Sequence, residues 1–504
     1  MRGPSTERRL TGLRQSGHRM SMAGMGLDRG SDLPLYQQVA AHLRNQILDG
    51  RLAAGTRLAG SRLLAAELGC SRAIVLTAFD LLYSEGYLHS VPRGGVEVAA
   101  IARPSGRGAP QPEAGIDGEW LSEAWRSVLD TGYEFDPGSP FSPGTPDISE
   151  FPFDVWSRLL RQTWGNPPSS ACIDMPPLGW RPLREATAEY LGTVRGLICE
   201  PEEVAITSAS SGALNLCSRM LLNPGDEVWV EEPGFIEARW SLRAAGAKLV
   251  PVPVDDKGLI VAEGIRRAPR AKLAVVTPSH QFPLGIPMAL ERRQELLEWT
   301  NRQGGWIIED DYNSEFRHRG SMTASLKSLD RSGRVIYLGT FSKVMFPSLR
   351  IGYLVAGPRF IEAFGRGRAR IDVHPAGTAQ LALPRFLRDG HLLRYLRRMR
   401  KVYADRQTAV LDAVDRLMGA DLEVMSQRAG LHLTVLFRPA MTARISDREV
   451  SRRSRGTPHF VQPLSQCYLG EPDRQGLVLG YGRLRAEEAF PRLSALAALI
   501  GATA

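Results

Sequence analysis

The 504 residues carry a formal net charge of +9 and an apolar share of 43%, enough material for two or three cores at roughly 100 to 200 residues per domain. No apolar run approaches the roughly 20 residues that cross a bilayer, and no secretory-type apolar core follows the N-terminal arginines, so no membrane association is expected and the expected location is cytoplasmic. The five cysteines (Cys70, Cys172, Cys199, Cys217, Cys467) are odd in number, scattered and never in a CxxC pair, which argues against a disulfide framework and against a structural zinc or other metal site.

Met1 to Gly26 holds 5 Arg against one Glu, and residues 1–30 lack an apolar period, so they read as a disordered arm. From Leu27 to Ala99 the charges balance at 7 Arg against 7 Asp and Glu, so a DNA footprint there must come from local clustering. Within residues 31–99, Val39, Leu43, Ile47 and Leu48 recur at helical spacing up to Asp49-Gly50. A second short helix is expected after Ser61, with the Ser61 hydroxyl as its cap, ending at Leu68-Gly69. The turn Gly69-Cys70-Ser71 leads to a third helix with Ile74, Ala78, Leu81 and Leu82 on its apolar face, ended by Gly86. "YLHSVPRGGVEVA" reads as a β-hairpin around Pro92-Arg93-Gly94-Gly95.

Helix, helix, tight turn, helix, hairpin is the order of a winged helix-turn-helix. Such a module sets Ser71, Arg72 and Thr77 of its third helix toward the DNA major groove, with Arg62 and Arg93 reaching phosphates or the minor groove; a small protein-interaction domain with solvated arginines is the alternative. The whole segment resembles the GntR-type winged helix, including Leu-Gly-Cys-Ser-Arg at the turn and Ser-Glu-Gly-Tyr-Leu before the wing. One departure is Leu58-Ala59-Gly60-Ser61, where that family often has Pro before Ser-Arg.

Residues 100–120 are Pro/Gly-rich and read as a linker, and 121–504 alternate strand-like runs with longer helical stretches, the pattern of an α/β domain. "HLLRYLRRMRKVYADRQ" is expected to be an amphipathic helix packed through Leu392, Leu396, Met399 and Tyr403 rather than a DNA-facing basic helix.

Four motifs in this part converge. "TSASSGALNLCSRML" follows a strand ending at Thr207, and Ser211, Gly212 and Ala213 open a helix whose free N–H groups suit a phosphate. "DEVWVEEPGF" puts Phe235 in the turn after a strand. "GGWIIEDDYNSEF" puts Asp310 and Tyr312 just beyond a strand over Trp306–Ile308, unless Glu309, Asp310 and Asp311 form a solvated acidic turn. "GTFSKVMFPSLRIGY" sets Lys343 and Arg350 after a strand over Val335–Leu338. Lysine is scarce, the others being Lys248, Lys257, Lys272, Lys327 and Lys401, and only Lys343 has hydroxyl and guanidinium residues at useful spacing. An amine, a carboxylate, a phosphate cup and an aromatic platform beyond strand ends are what pyridoxal 5'-phosphate needs.

From "SPGTPDISEFPFDVW" through "PLGWRPLREATAEYLGTVRGL", "EEPGF", "TPSHQFPLGIPM" and "IIEDDYNSEFR" to the Lys343 motif, about Pro143 to Arg485, the chain resembles the fold-type I aminotransferases. The resemblance implies Lys343 as the Schiff-base lysine, Asp310 on the pyridine nitrogen, Tyr312 on the ring hydroxyl and Phe235 stacked on the ring. It also implies Ser211, Gly212, Thr340, Ser342 and Arg350 around the phosphate. Phe282-Pro283-Leu284-Gly285 stands where aminotransferases have Asn-Pro-x-Gly, so the Asn contact is lost or passes to Gln281 or Tyr312. Phe235 stands where related regulators often have Tyr. Arg474 and Arg483 are the candidates for binding a substrate carboxylate.

A GntR-type winged helix joined to an aminotransferase-like domain is similar to the MocR/GabR-type transcriptional regulators. That resemblance implies a homodimer on double-stranded promoter DNA, whose large domain senses pyridoxal phosphate itself or a small amino-compound effector. The rival is a working aminotransferase with an accessory DNA-binding domain.

Overall fold

The computed structural model describes residues 26–92, 95–100, 120–129, 134–317, 323–425 and 429–501. It divides into two compact units, Met1–Asp117 and Gly118–Ala504. Arg93, most of the expected arm and nearly all of the expected linker lie outside the described residues.

In the first unit, helices Leu35–Leu48, Ser61–Glu67 and Arg72–Ser84 precede strands β1 (Leu88–Val91) and β2 (Gly95–Val98), which pair antiparallel with Leu88 opposite Val98. Val39, Leu43, Leu64, Val75, Phe79, Leu82, Leu88 and Val98 make one core. Gly69 has φ +60°, the left-handed backbone that glycine takes at a helix end. The Ser71 hydroxyl then accepts the Ile74 amide at 3.4 Å and caps the third helix.

Three expectations need correction here. Ser61 is the first residue of its helix, not its cap, and the capping position belongs to Gly60 without a side-chain bond; the Ser61 hydroxyl instead accepts from Arg72 Nε at 3.2 Å. Leu48 is 45% exposed, because the first helix buries Val39, Ala40, Leu43 and Ile47. The third helix buries Val75, Ala78, Phe79 and Leu82, an i, i+3, i+4, i+7 stripe that leaves Ile74 and Leu81 on its flanks.

The second unit is built on an eight-stranded sheet of β3 (Val204–Thr207), β4 (Glu227–Glu232), β5 (Lys248–Asp255), β6 (Gly258–Leu259), β7 (Leu273–Val276), β8 (Trp306–Asp311), β9 (Val335–Thr340) and β10 (Gly352–Val355). Their spatial order is β3-β10-β9-β8-β7-β4-β5-β6. From β5 to β9 the pairings are parallel, whereas β10 runs antiparallel to both β9 and β3. Runs such as Leu-Ala-Val-Val in β7 are apolar throughout because the sheet is covered on both faces. Alternate residues prove it: Ile308 and Ile336 join the cluster of Leu214, Leu242 and Phe364, while Ile307 and Val335 join that of Trp229, Leu296 and Trp299.

A smaller antiparallel sheet, β11 (Leu422–Val424), β12 (His432–Phe437), β13 (Gln462–Pro463) and β14 (Gly476–Gly480), has the order β11-β12-β14-β13. The 28-residue helix His391–Met418 buries Leu392, Leu396, Met399 and Tyr403 as the spacing predicts. Among the described residues no helix is long and apolar enough to cross a membrane.

Two glycines let the functional strands approach their neighbours. A Cβ on Gly352 would stand 2.8 Å from the Ala209 backbone, and one on Gly339 would stand 2.3 Å from the Tyr353 ring. Gly339→Ala is expected to destabilise the large unit by about 1–3 kcal/mol through overpacking, seen as a lower thermal midpoint; an unchanged midpoint would show that Tyr353 can move aside.

Candidate functional site

The motifs meet where β3, β4, β8 and β9 end. β9 extends two residues further than the sequence suggests, so Thr340 is its last residue, followed by the turn bearing Ser342 and Lys343. The Thr340 hydroxyl accepts the Ser342 amide at 3.1 Å, and the buried Ser342 Oγ has no partner among the described residues. The chain then passes through the short 3-10 turn Pro347–Leu349 to Arg350.

Arg350 Nη2 donates to Ser211 Oγ at 2.9 Å, tying this loop to the start of the helix Ala209–Leu221. Ser211 and Gly212 sit in its first two turns, where N–H groups lack intrahelical acceptors. Left-handed backbone brackets the contact, φ +61° at Ala209 and +50° at Arg350. Such backbone costs a non-glycine residue roughly 1–2 kcal/mol, so the surrounding packing holds both in place.

β8 also runs further than expected, to Asp311, which places Asp310 in the strand rather than beyond it. The alternative of a solvated acidic turn is overturned, since Glu309, Asp310 and Asp311 are all buried. Alternation sends their side chains to different faces. Asp311 forms an ion pair with Arg195 and accepts from the Tyr337 hydroxyl at 2.6 Å. Glu309 accepts the Leu326 and Lys327 amides at 3.0 and 2.9 Å and lies 3.9 Å from Arg293. Asp310 Oδ1 has no partner among the described residues. Burial, reinforced by the charges of Asp311 and Glu237 and opposed by Lys343, pushes the Asp310 carboxyl up to about 7.

Lys343 is half-buried. Loss of solvent lowers the pKa of its amine, against the pull of Glu237 and Asp310, with Arg350 adding repulsion. Gly144, at φ +64°, lies so close that a Cβ there would be 3.3 Å from Lys343 Nζ. The other lysines differ: Lys248 and Lys257 are in exposed ion pairs with Glu227 and Glu291.

Phe235 precedes the helix Ile236–Ala244, and its ring is within 4° of parallel to Tyr312 at 6.4 Å between centroids. Phe282 stands edge-on to both, at 5.6 and 6.2 Å. The Tyr312 hydroxyl donates to the His280 carbonyl at 3.0 Å, and burial keeps the phenol protonated. Gln281 is committed elsewhere, its Nε2 donating to the carbonyls of Pro233 and Phe282 at 2.8 and 2.6 Å while its Oε1 accepts the Leu284 amide. Both substitutes for the missing Asn are thus engaged: Gln281 through both ends of its amide, and Tyr312 through the single hydrogen of its phenol.

Arg474 and Arg483 are not joined to this group by any contact among the described residues. Arg474 lies 3.7 Å from Asp473, and the exposed Arg483 donates to the Pro137 carbonyl at 2.6 Å. Sequence reasoning missed Glu237, Gly144, His432 and the Arg195 support beneath the strand. Glu237 is the second residue of its helix, where an acid normally signifies only helix-dipole preference.

In the small unit Arg62, Ser71, Arg72 and Thr77 are all exposed. Thr77 donates its hydroxyl to the Ala73 carbonyl of its own helix at 3.0 Å. Arg62 and Arg72 line one surface depression together with Arg57, a residue the sequence reading passed over.

The profile described as "Aminotransferase class I and II" matches residues 175–465, and "Bacterial regulatory proteins, gntR family" matches residues 35–98. Two domains of these kinds in one chain define a DNA-binding protein with an aminotransferase-like body. The chain belongs to the MocR-type family of helix-turn-helix transcriptional regulators. It is 39% identical over 463 residues to the "Probable rhizopine catabolism regulatory protein MocR" of Rhizobium meliloti, covering 90% of this chain and 91% of that protein. It is 30% identical to the pyridoxine biosynthesis transcriptional regulator PdxR of Corynebacterium glutamicum, covering 88% and 91%. Among solved structures, the kynurenine aminotransferase of Pyrococcus horikoshii, crystallised with PMP, superposes with a TM-score of 0.66 at 26% identity, covering 75% of this chain and 93% of that one.

Removing one partner of a buried pair leaves the other charged in a poorly solvated place, at a cost of about 3–5 kcal/mol. Asp311→Asn is therefore expected to lower the stability of the large unit by that amount in urea unfolding. A loss below about 1 kcal/mol would mean that the Tyr337 and Ser279 hydroxyls, which accept from Arg195 at 3.3 and 3.2 Å, suffice for it.

Proposed function

We propose that this regulator holds pyridoxal 5'-phosphate in its large unit and converts the arrival of a small amine into a change in its affinity for promoter DNA. The carrying observation is the buried, unpartnered Asp310 Oδ1 beside a half-buried lysine. An orphaned buried carboxylate oxygen is costly, and a protonated ring nitrogen is the kind of donor that would satisfy it. Asp310 would take that nitrogen, Tyr312 and Phe235 would flank the ring, and Ser211, Gly212, Thr340, Ser342 and Arg350 would hold the phosphate. The residues present fit the group.

When bound, the cofactor supplies a carbonyl for which Lys343 and an incoming amine compete. Loss of solvent favours the uncharged, nucleophilic form of the Lys343 amine. Once displaced, Lys343 Nζ holds a proton under the pull of Glu237 and Asp310. Thr340 and Ser342 keep the loop fixed through the bond between them, and Arg350 fixes its far end on Ser211. A signal reaches the DNA-binding unit only if the amine favours one conformation over another.

Arg72, at the start of the third helix, is proposed as a base-reading residue, with Arg57 and Arg62 as phosphate contacts and Ser71 as the cap that orients the helix. The proposed assembly is a homodimer on paired half-sites, in the cytoplasm. Lys343, Asp310 and Tyr312 are all retained, which also favours a residual transamination activity. Sustained turnover of an amino donor with a keto acid over many cycles would support the aminotransferase reading instead.

Purified wild type is expected to show the visible absorbance of a lysine-linked cofactor, and Lys343→Ala to lose it; absorbance that survives the substitution would refute the role of Lys343. Arg72→Ala should weaken binding to a specific promoter by about 1–3 kcal/mol while leaving random DNA less affected. Equal wild-type affinity for both DNAs, by gel shift, would contradict sequence-specific regulation.

A further inference from the structure

The site carries acceptors that the cofactor reading leaves unused. The half-buried Glu237 follows Phe235 by two positions in the first turn of its helix. Its carboxylate acts on both Lys343 and Asp310, and among the described residues no other side chain forms a hydrogen bond or close ion pair with it. His432, on β12, is 1% exposed, and its ring lies 14° from parallel to Tyr312 at 6.4 Å. Its Nε2 is 3.2 Å from the Pro283 carbonyl oxygen. A carbonyl only accepts, so Nε2 carries the hydrogen, and Nδ1 of the neutral ring remains as an acceptor. That buried Nδ1 has no partner among the described residues.

Among the described residues, the cations that could greet a carboxylate here are already engaged. Arg350 is the cation that acts on Lys343, and it is tied to Ser211. Arg474 and Arg483 are engaged at Asp473 and at the Pro137 carbonyl. Where β14 meets the ring cluster it presents Val478, packed with Phe282, Leu284 and Ile236. A carboxylate entering beside Phe235 and Phe282 would lose water, gain no cation and face Glu237.

We propose that the amine sensed at Lys343 carries no carboxylate: it is a primary amine with further hydroxyl or ammonium donors, which Glu237 and His432 Nδ1 accept. The inference rests on the cofactor site proposed above. Glu237 is then the selecting residue, attracting donors and repelling anions. Asp310 is reserved for the ring, so it does not duplicate this role.

The test uses full-length protein loaded with pyridoxal phosphate and titrated with three probes of matched length: aminopropanol, diaminopropane and β-alanine. The visible spectrum reports each affinity, divided by the affinity of the same amine for free pyridoxal phosphate. At least one of the first two probes is expected to bind about tenfold or more tightly than β-alanine, and the two separate a hydroxyl from an ammonium preference. Glu237→Gln, which keeps size and removes charge, is expected to shrink that ratio to about threefold or less. β-Alanine binding as tightly as both other probes overturns the inference, and so does a Glu237→Gln variant that binds cofactor and keeps the full ratio. Wild type that shows no cofactor spectrum overturns the cofactor site and this inference together; a normal spectrum without selectivity overturns this inference alone.

Discussion

Three consecutive carboxylates on a central strand are the constraint around which the large unit is organised. Glu309, Asp310 and Asp311 are all buried in β8, and the two-residue period of a strand separates them. The outer two meet Arg293 and Arg195, together with backbone amides and the Tyr337 hydroxyl. Asp310 Oδ1 and Asp311 Oδ1 both lack a hydrogen-bond partner among the described residues, but Asp311 is paired through its other oxygen, whereas the middle acid has no ion pair. Buried charge of this kind is tolerated when paired and expensive when not. The fold thus pairs the two acids that support the strand and keeps the third, beside Lys343, open to a cationic donor.

The surrounding geometry serves that placement. Gly352 admits the start of the helix Ala209–Leu221 against β10, Arg350 bonds Ser211 across to it, and Gly144 leaves room for the lysine amine. The strained backbone at Ala209 and Arg350 lies on either side of the same hydrogen bond. The helix start at Ser211 is therefore linked physically to the loop that carries the amine. Any ligand that alters the charge around Lys343 acts on a loop anchored at both ends, the kind of element that can hold two discrete arrangements.

Much of this was legible in the sequence, for physical reasons. Helical spacing and the Gly69 turn defined the winged helix, and the small set of lysines singled out Lys343. Errors arose where one-dimensional spacing underdetermines orientation. The apolar stripe of the third helix keeps Ala78 and Leu82 but takes Val75 and Phe79 in place of Ile74 and Leu81, because all four are apolar and spacing alone does not choose between them. Ser61 looked like a cap although Gly60 occupies that position. Asp310 looked like a loop residue because three adjacent acids ordinarily mark solvent, and only Arg195 and Arg293, distant in sequence, reveal the burial. Glu237 was indistinguishable from an ordinary first-turn acid. Arg474 and Arg483 could not be told from their neighbours in a chain with 63 basic residues, only a few of them lysine, where an arginine near a strand carries little information.

The most direct test of the central claim is the affinity of the apo protein for pyridoxal phosphate, measured by spectral titration of wild type and Asp310→Asn side by side. Asparagine keeps the size of the side chain but removes the charge that would hold a protonated ring nitrogen, and hydrogen bonds to charged groups contribute about 1.5–3 kcal/mol. The account predicts a loss of about tenfold or more in affinity, with folding retained. Equal affinity in the two proteins would contradict it, because the buried oxygen of Asp310 would then have no role in holding the ring.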